Sequence, residues 1–164
     1  MPTPIPPGCD GLIPHLVCSP CTEAIEFYQR AFGAESGCLL MAPDGQRVMH
    51  AQISIDGKPL FLADDFPEYC EAGGGRTPEA LGGTPVTVHR YVTDCDAAVQ
   101  QAVDAGATLK MPVNEMFWGD RYGMVIDPFG HSWSFATHIR DVAPEDMQAA
   151  MMEAFQQADA AGGK

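Results

Sequence analysis

One hydrophobic pattern occurs twice along the chain. Ala24, Phe27, Tyr28, Ala31 and Phe32 recur at i, i+3, i+4, i+7 and i+8, and Cys95, Ala98, Val99, Ala102 and Val103 repeat the stripe. This spacing predicts two amphipathic helices, each laid on a core. Pro20 suits the start of the first and Gly33 its end, while Asp94 or Asp96 can cap the second and Gly106 stop it. A short apolar run precedes each helix, LIPHLVC and VTVHRYV. Three extended runs follow each one: GCLLMA, RVMHAQISI and KPLFLAD, then ATLKMPV, YGMVI and HSWSFAT. Asp44-Gly45 and Asp56-Gly57 predict hairpin turns, and Asp127-Pro128-Phe129-Gly130 a type I turn. Each repeat therefore reads strand, helix, strand, strand, strand. A third helical pattern opens at Pro144, where Met147, Ala150, Met151, Ala154 and Phe155 share a face that needs a partner, either this body or a second subunit.

The predicted architecture is α+β, with a first module over residues 10–66, a Gly/Pro-rich linker over 67–83, a second module over 84–140 and a C-terminal helix over 144–158. At 164 residues and 46% hydrophobic content the chain can bury one core but is small for two, so residues 1–164 are expected to form a single domain. Period-two alternation assigns faces within the strands. Trp133 and Phe135 are predicted to pack under the helices, with Ser132, Ser134 and Ala136 on an open concave face. Val86, Val88 and Val92 are expected in the core, leaving Thr87, His89 and Tyr91 on the cavity side.

Charge narrows the partners. Nine Lys plus Arg against 22 Asp plus Glu give a net charge of -13, which repels phosphate backbones and anionic lipid. Nucleic acid and membrane surfaces are thus poor partners, and a small molecule is the better expectation. No apolar run reaches the roughly 20 residues that span a bilayer, and MPTPIPPG lacks the order of a signal peptide, so the chain reads as soluble and cytoplasmic. Six cysteines are too few for a disulfide scaffold at this length.

Two histidines occupy matching places: His15 and His89 stand 18 and 17 residues before Gly33 and Gly106. The plain alternative is a pair of strand histidines hydrogen-bonded to neighbours, although two imidazoles can also exchange protons without a metal. His50 and His138 lack this symmetry and are taken as ordinary surface or strand residues. In FWGDRYG, Trp118 and Arg121 are placed to close over an anionic or aromatic ligand, against the alternative of an Asp120–Arg121 loop staple with Trp118 beneath it. Cys18-Ser19-Pro20-Cys21 offers a rival reading, a thiol-disulfide redox pair at a helix N-terminus. The three strands after the first helix oppose it, because a thioredoxin-like fold alternates strands with helices.

AIEFYQRAFGA, DGKPLFLAD, TDCDAAVQQAVDAGA, FWGDRYG and DPFGHSW together resemble the glyoxalase, bleomycin-resistance and extradiol-dioxygenase superfamily, also called vicinal oxygen chelate proteins, and within it the PhnB-like branch. The resemblance covers roughly residues 10–140. It implies paired βαβββ modules forming an eight-stranded cup, usually completed in a homodimer. It also implies a divalent ion held by the first and fourth strands of each module. His15 and His89 stand at the first-strand positions, whereas the fourth-strand positions fall on Phe61 and Ser134. Two imidazoles leave such an ion short of three protein ligands, so a divalent metal is not favoured unless a shift in the fourth strand brings in Asp64 or Asp65. The expected protein is a small-molecule binder with a pocket lined by His15, Thr87, His89, Ser132 and Ser134 and gated by Trp118 and Arg121. The alternatives are a metal-dependent lyase, isomerase or dioxygenase, and the redox protein.

Overall fold

The computed structural model describes residues 3–72 and 75–162. The first module runs β1 (His15–Val17), α1 (Cys21–Phe32), β2 (Glu35–Met41), β3 (Val48–Ile55) and β4 (Lys58–Ala63). The second repeats it as β5 (Thr87–Tyr91), α3 (Cys95–Asp104), β6 (Thr108–Glu115), β7 (Asp120–Ile126) and β8 (Ser132–His138). Their sheets have matching orders, β1-β4-β3-β2 and β5-β8-β7-β6, in which the first strand of each module pairs parallel with the fourth. The duplication seen in the sequence is therefore a duplication of topology. Between the modules lie a 3-10 turn (Pro67–Ala72) and the short helix α2 (Pro78–Leu81), both within the stretch expected to be only linker. Helix α4 (Pro144–Gly162) follows the second sheet, and its stripe residues Met147, Ala150, Met151 and Ala154 are half-covered while Phe155 is exposed.

The stripes of α1 and α3 bury as expected, and the helices pack against each other. One continuous core takes Phe27, Tyr28 and Phe32 from the first module and Val125, Trp133 and Phe135 from the second. Its centre is aromatic: Phe32 lies 4.5 Å from Trp133 and 5.7 Å from Phe135 between ring centroids, distances at which offset rings attract. A buried carboxylate threads this cluster. Asp127 of the predicted type I turn accepts the Tyr28 hydroxyl at 2.7 Å and the Trp133 indole N–H at 2.9 Å on Oδ2. On Oδ1 it accepts the backbone N–H groups of Phe129 and His131, both at 2.9 Å. Tyr28 is on α1 and Trp133 on β8, so this side chain joins the modules.

Local chemistry explains the boundaries. Gly33 ends α1 with φ 67°, its N–H returning to Gln29, and Asp94 caps α3 by accepting from Ala97 at 2.9 Å. Pro20 brings no capping oxygen to α1, and Asp64 supplies one from just past β4, accepting the Cys21 N–H at 3.1 Å. Asp56 and Gly57 take φ 51° and 70°, the paired positive values of a type I′ hairpin.

Two face assignments require correction. Ser132, Ser134 and Ala136 are on the side opposite the helices, as expected, but they do not line an open face: they are 3%, 1% and 0% exposed. Strand β8 is central in its sheet, and side chains of β5 close over it through Thr87 Oγ1 to Ser132 at 3.1 Å and His89 Nδ1 with Ser134 at 2.8 Å. Val86 was expected in the core and is 63% exposed, because β5 begins one residue later. Val88 and Val92 do pack on the core.

Candidate functional site

The strand register puts the two histidines in equivalent settings. His15 on β1 pairs with Phe61 on β4, and His89 on β5 pairs with Ser134 on β8. His15 meets the rings of His50 and Phe61 edge-on, each at 6.2 Å between centroids. Burial, and secondarily the neighbouring His50, lowers the pKa of the His15 imidazole from its ordinary value and favours the neutral ring. His89 stacks on Tyr122 at 6.0 Å with an interplanar angle of 19° and meets Tyr91 edge-on at 4.9 Å. Trp118 stands edge-on to Tyr122 at 5.8 Å, so the wall beside His89 is aromatic. A cavity of about 450 Å³ between the first strands of the modules is lined by both His15 and His89, together with Thr87, Leu16, Val88 and Arg76.

The Trp118 loop is held by its backbone and by Asp120. Gly119 has φ 100° and lies against the Arg140 carbonyl, where a Cβ atom would be 2.1 Å from the oxygen. Asp120, on the same sheet face as Tyr122, accepts from Tyr91 Oη at 2.8 Å, Trp118 Nε1 at 3.0 Å and His138 Nδ1 at 2.8 Å. Burial opposes ionisation of its carboxyl, but the three donors outweigh that and hold it below the usual carboxylate range. His138 is therefore no ordinary strand histidine. Asp120 on one ring nitrogen and Asp141 on the other, at 3.0 Å, raise its affinity for a proton.

Arg121 is placed elsewhere than expected. One residue along β7 from Asp120, it points to the helix side and binds Asp96 at the start of α3 through Nε and, at 2.7 Å, Nη2. The period-two alternation of β7 puts Asp120 and Arg121 on opposite faces, so the Asp120–Arg121 staple does not form and Arg121 is turned away from the Trp118 side.

The chain matches the family model of the Glyoxalase/Bleomycin resistance protein/Dioxygenase superfamily over residues 13–135. It belongs to this superfamily. The Rv0887c protein of Mycobacterium tuberculosis is 47% identical over 141 residues, covering 86% of this chain and 82% of that one. TioX from Micromonospora is 25% identical with a TM-score of 0.61, the likeness covering 79% of this chain and 99% of TioX. The PhnB protein of Bacillus cereus shares the fold at 16% identity and a TM-score of 0.55, over 76% of this chain and 95% of its own.

For this member of the superfamily the metal-binding residues expected from the resemblance do not assemble into a suitable donor set. Phe61 and Ser134 occupy the positions directly across from His15 and His89, and neither is a carboxylate. Asp64 does not replace them: both its oxygens are taken by backbone donors, Cys21 at 3.1 Å and Val48 at 2.7 Å. Asp65 binds Arg76 at 3.1 Å. Among the described residues no three His, Cys, Asp or Glu side chains converge to hold a metal ion. The thiol pair is likewise unsuited to redox exchange. Cys18 and Cys21 are fully buried, and burial, with Asp127 and Asp64 respectively as the nearby carboxylates, pushes the Cys18 thiol well up and that of Cys21 to about 12. A reactive thiol needs the opposite shift.

Proposed function

We propose that the protein binds a small molecule in the cavity between its two modules, against His15, Thr87 and His89 and beside the Tyr122–Trp118 wall, with an incomplete metal site. Ser132 and Ser134 act from beneath by orienting Thr87 and His89 rather than by touching the ligand. The observation that carries this reading is the register: each imidazole faces a non-carboxylate at the position where a metal-dependent member would place its acid. Proton transfer from carbon beside a metal needs such a base, and neither Phe61 nor Ser134 can supply one.

The same reading makes the working form a cytoplasmic homodimer. Leu39 and Leu40 on β2, 54% and 55% exposed, and Met152 and Phe155 on α4, 55% and 63% exposed, are apolar surface for a second copy. Among the described residues no helix is long and apolar enough to cross a membrane.

Elemental analysis of protein purified without chelator tests the reading. The expected result is metal well below one ion per chain. A stoichiometric ion lost in the His15→Ala, His89→Ala double variant would reverse it in favour of a metal-dependent lyase, isomerase or dioxygenase. Crystals soaked with fragment mixtures should show density against His15 and His89, and fragments seated only at other places would also overturn it.

A further inference from the structure

A second cavity, of about 470 Å³, lies where the β3–β4 turn approaches β5, and it shares only Pro14, Val88 and His89 with the first. We propose that it binds the anionic head of an amphipathic organic acid, a carboxylate carried on an aromatic or aliphatic body, with Arg90 and Lys58 as the cationic groups. This assignment goes beyond the His15–His89 reading and does not rest on it.

Arg90 is the unusual residue. It shares the face of Val88 that packs on the core, so a guanidinium is directed among aromatic rings: its central carbon lies 5.5 Å above Phe32 and 5.7 Å above Phe135. Its side chain is only 13% exposed, and its Nε is buried with no acceptor. A cation in such a place needs an anion. Within the chain its anion is Asp56, at 2.6 Å from Nη2, on the tip of the type I′ turn and 65% exposed. Two other arginines are held differently: Arg47 binds two carboxylates, and Arg121 grips Asp96 with two nitrogens. Lys58, the next cation on this wall, forms no ion pair among the described residues.

The remaining lining supplies the apolar half. Leu12, Leu60, Val88, Tyr91 and Trp133 border the same space, whose volume falls in the range of about 300–1,000 Å³ usual for small-molecule sites. Asp10 and Asp56 also line it, and both are exposed. An incoming carboxylate therefore competes with Asp56 for the Arg90 guanidinium, replacing one charge-assisted hydrogen bond with another. Competition with Asp56 is the signature that separates this site from nonspecific attraction.

The test is calorimetric titration of the full chain with benzoate, using acetate and benzyl alcohol as probes that each carry one half of the ligand. Benzoate should bind saturably and both controls much more weakly. Lys58→Ala and Arg90→Gln should each weaken benzoate by about tenfold, the value of one charge-assisted contact. Asp56→Asn should strengthen it by about threefold or more by removing the competitor. Lys58 and Asp56 are on the surface, so their variants decide the matter even if Arg90→Gln fails to fold. Absence of saturable benzoate binding in both the native chain and Asp56→Asn overturns the proposal, as does unchanged affinity in Lys58→Ala or in Asp56→Asn.

Discussion

Replacing Asp127 by Asn should destabilise the fold far more than the exchange of one atom suggests. Four donors converge on the carboxylate: Tyr28 Oη at 2.7 Å, and Trp133 Nε1 and the N–H groups of Phe129 and His131 at 2.9 Å. The side chain is 3% exposed, so water cannot substitute for a lost acceptor. An amide keeps one accepting oxygen and turns its other end into a donor, which leaves two of the four donors facing an N–H group. At about 1–2 kcal/mol for each buried donor left unsatisfied, the loss is about 2–4 kcal/mol, a large fraction of a typical domain's 5–15 kcal/mol. Tyr28→Phe provides the scale. It removes one donor while Trp133 still satisfies Oδ2, so it should cost about 1–2 kcal/mol. Urea unfolding followed by tryptophan fluorescence and far-ultraviolet circular dichroism measures both. An Asp127→Asn variant within about 1 kcal/mol of the native chain, or no more destabilised than Tyr28→Phe, would refute the claim that four buried donors depend on this carboxylate.

Two further results are expected. In the native protein a disulfide-exchange reagent at pH 8 should label the exposed Cys38 rapidly, while Cys18, Cys21 and Cys95 react only after unfolding; rapid labelling of Cys21 would restore the redox reading. His138 should titrate above the ordinary value of about 6.5 in its imidazole NMR signals, because Asp120 and Asp141 favour the protonated ring. A raised folded-state pKa stabilises the fold fully below that ordinary value, and the contribution fades as pH rises through the folded pKa. The stability gap between the native chain and His138→Gln should therefore be widest in mild acid and close as the solution becomes alkaline. A gap that widens on the alkaline side would contradict the Asp120–His138 pairing.

Helix positions were legible because their signals are local. The stripes at residues 24–32 and 95–103 fix which face is buried whatever that face meets, and Gly33 and Asp94 act within one turn of themselves. Strand parity was nearly as informative, placing Trp133 and Phe135 under the helices. Phe61 and Ser134, at the same offset from their turn glycines, pair with His15 and His89 across the parallel strands. Parity tells which way a side chain points, however, and not what covers it. The burial of Ser132 and Ser134 depends on Thr87 and His89, 45 residues away in each case.

The sequence by itself determined the two βαβββ modules, their helices and the symmetric placement of two histidines, because periodicity, caps and turn residues act over a few bonds. Only the tertiary structure decided where the charges went. Arg121 turned to Asp96, Arg90 was laid on the aromatic core beside Asp56, and Asp64 was used to cap α1. Asp127 likewise found Tyr28 on the other module. A carboxylate or guanidinium removed from water binds whichever complementary group the fold brings within about 3 Å, and that neighbour is set by packing between distant segments rather than by sequence spacing.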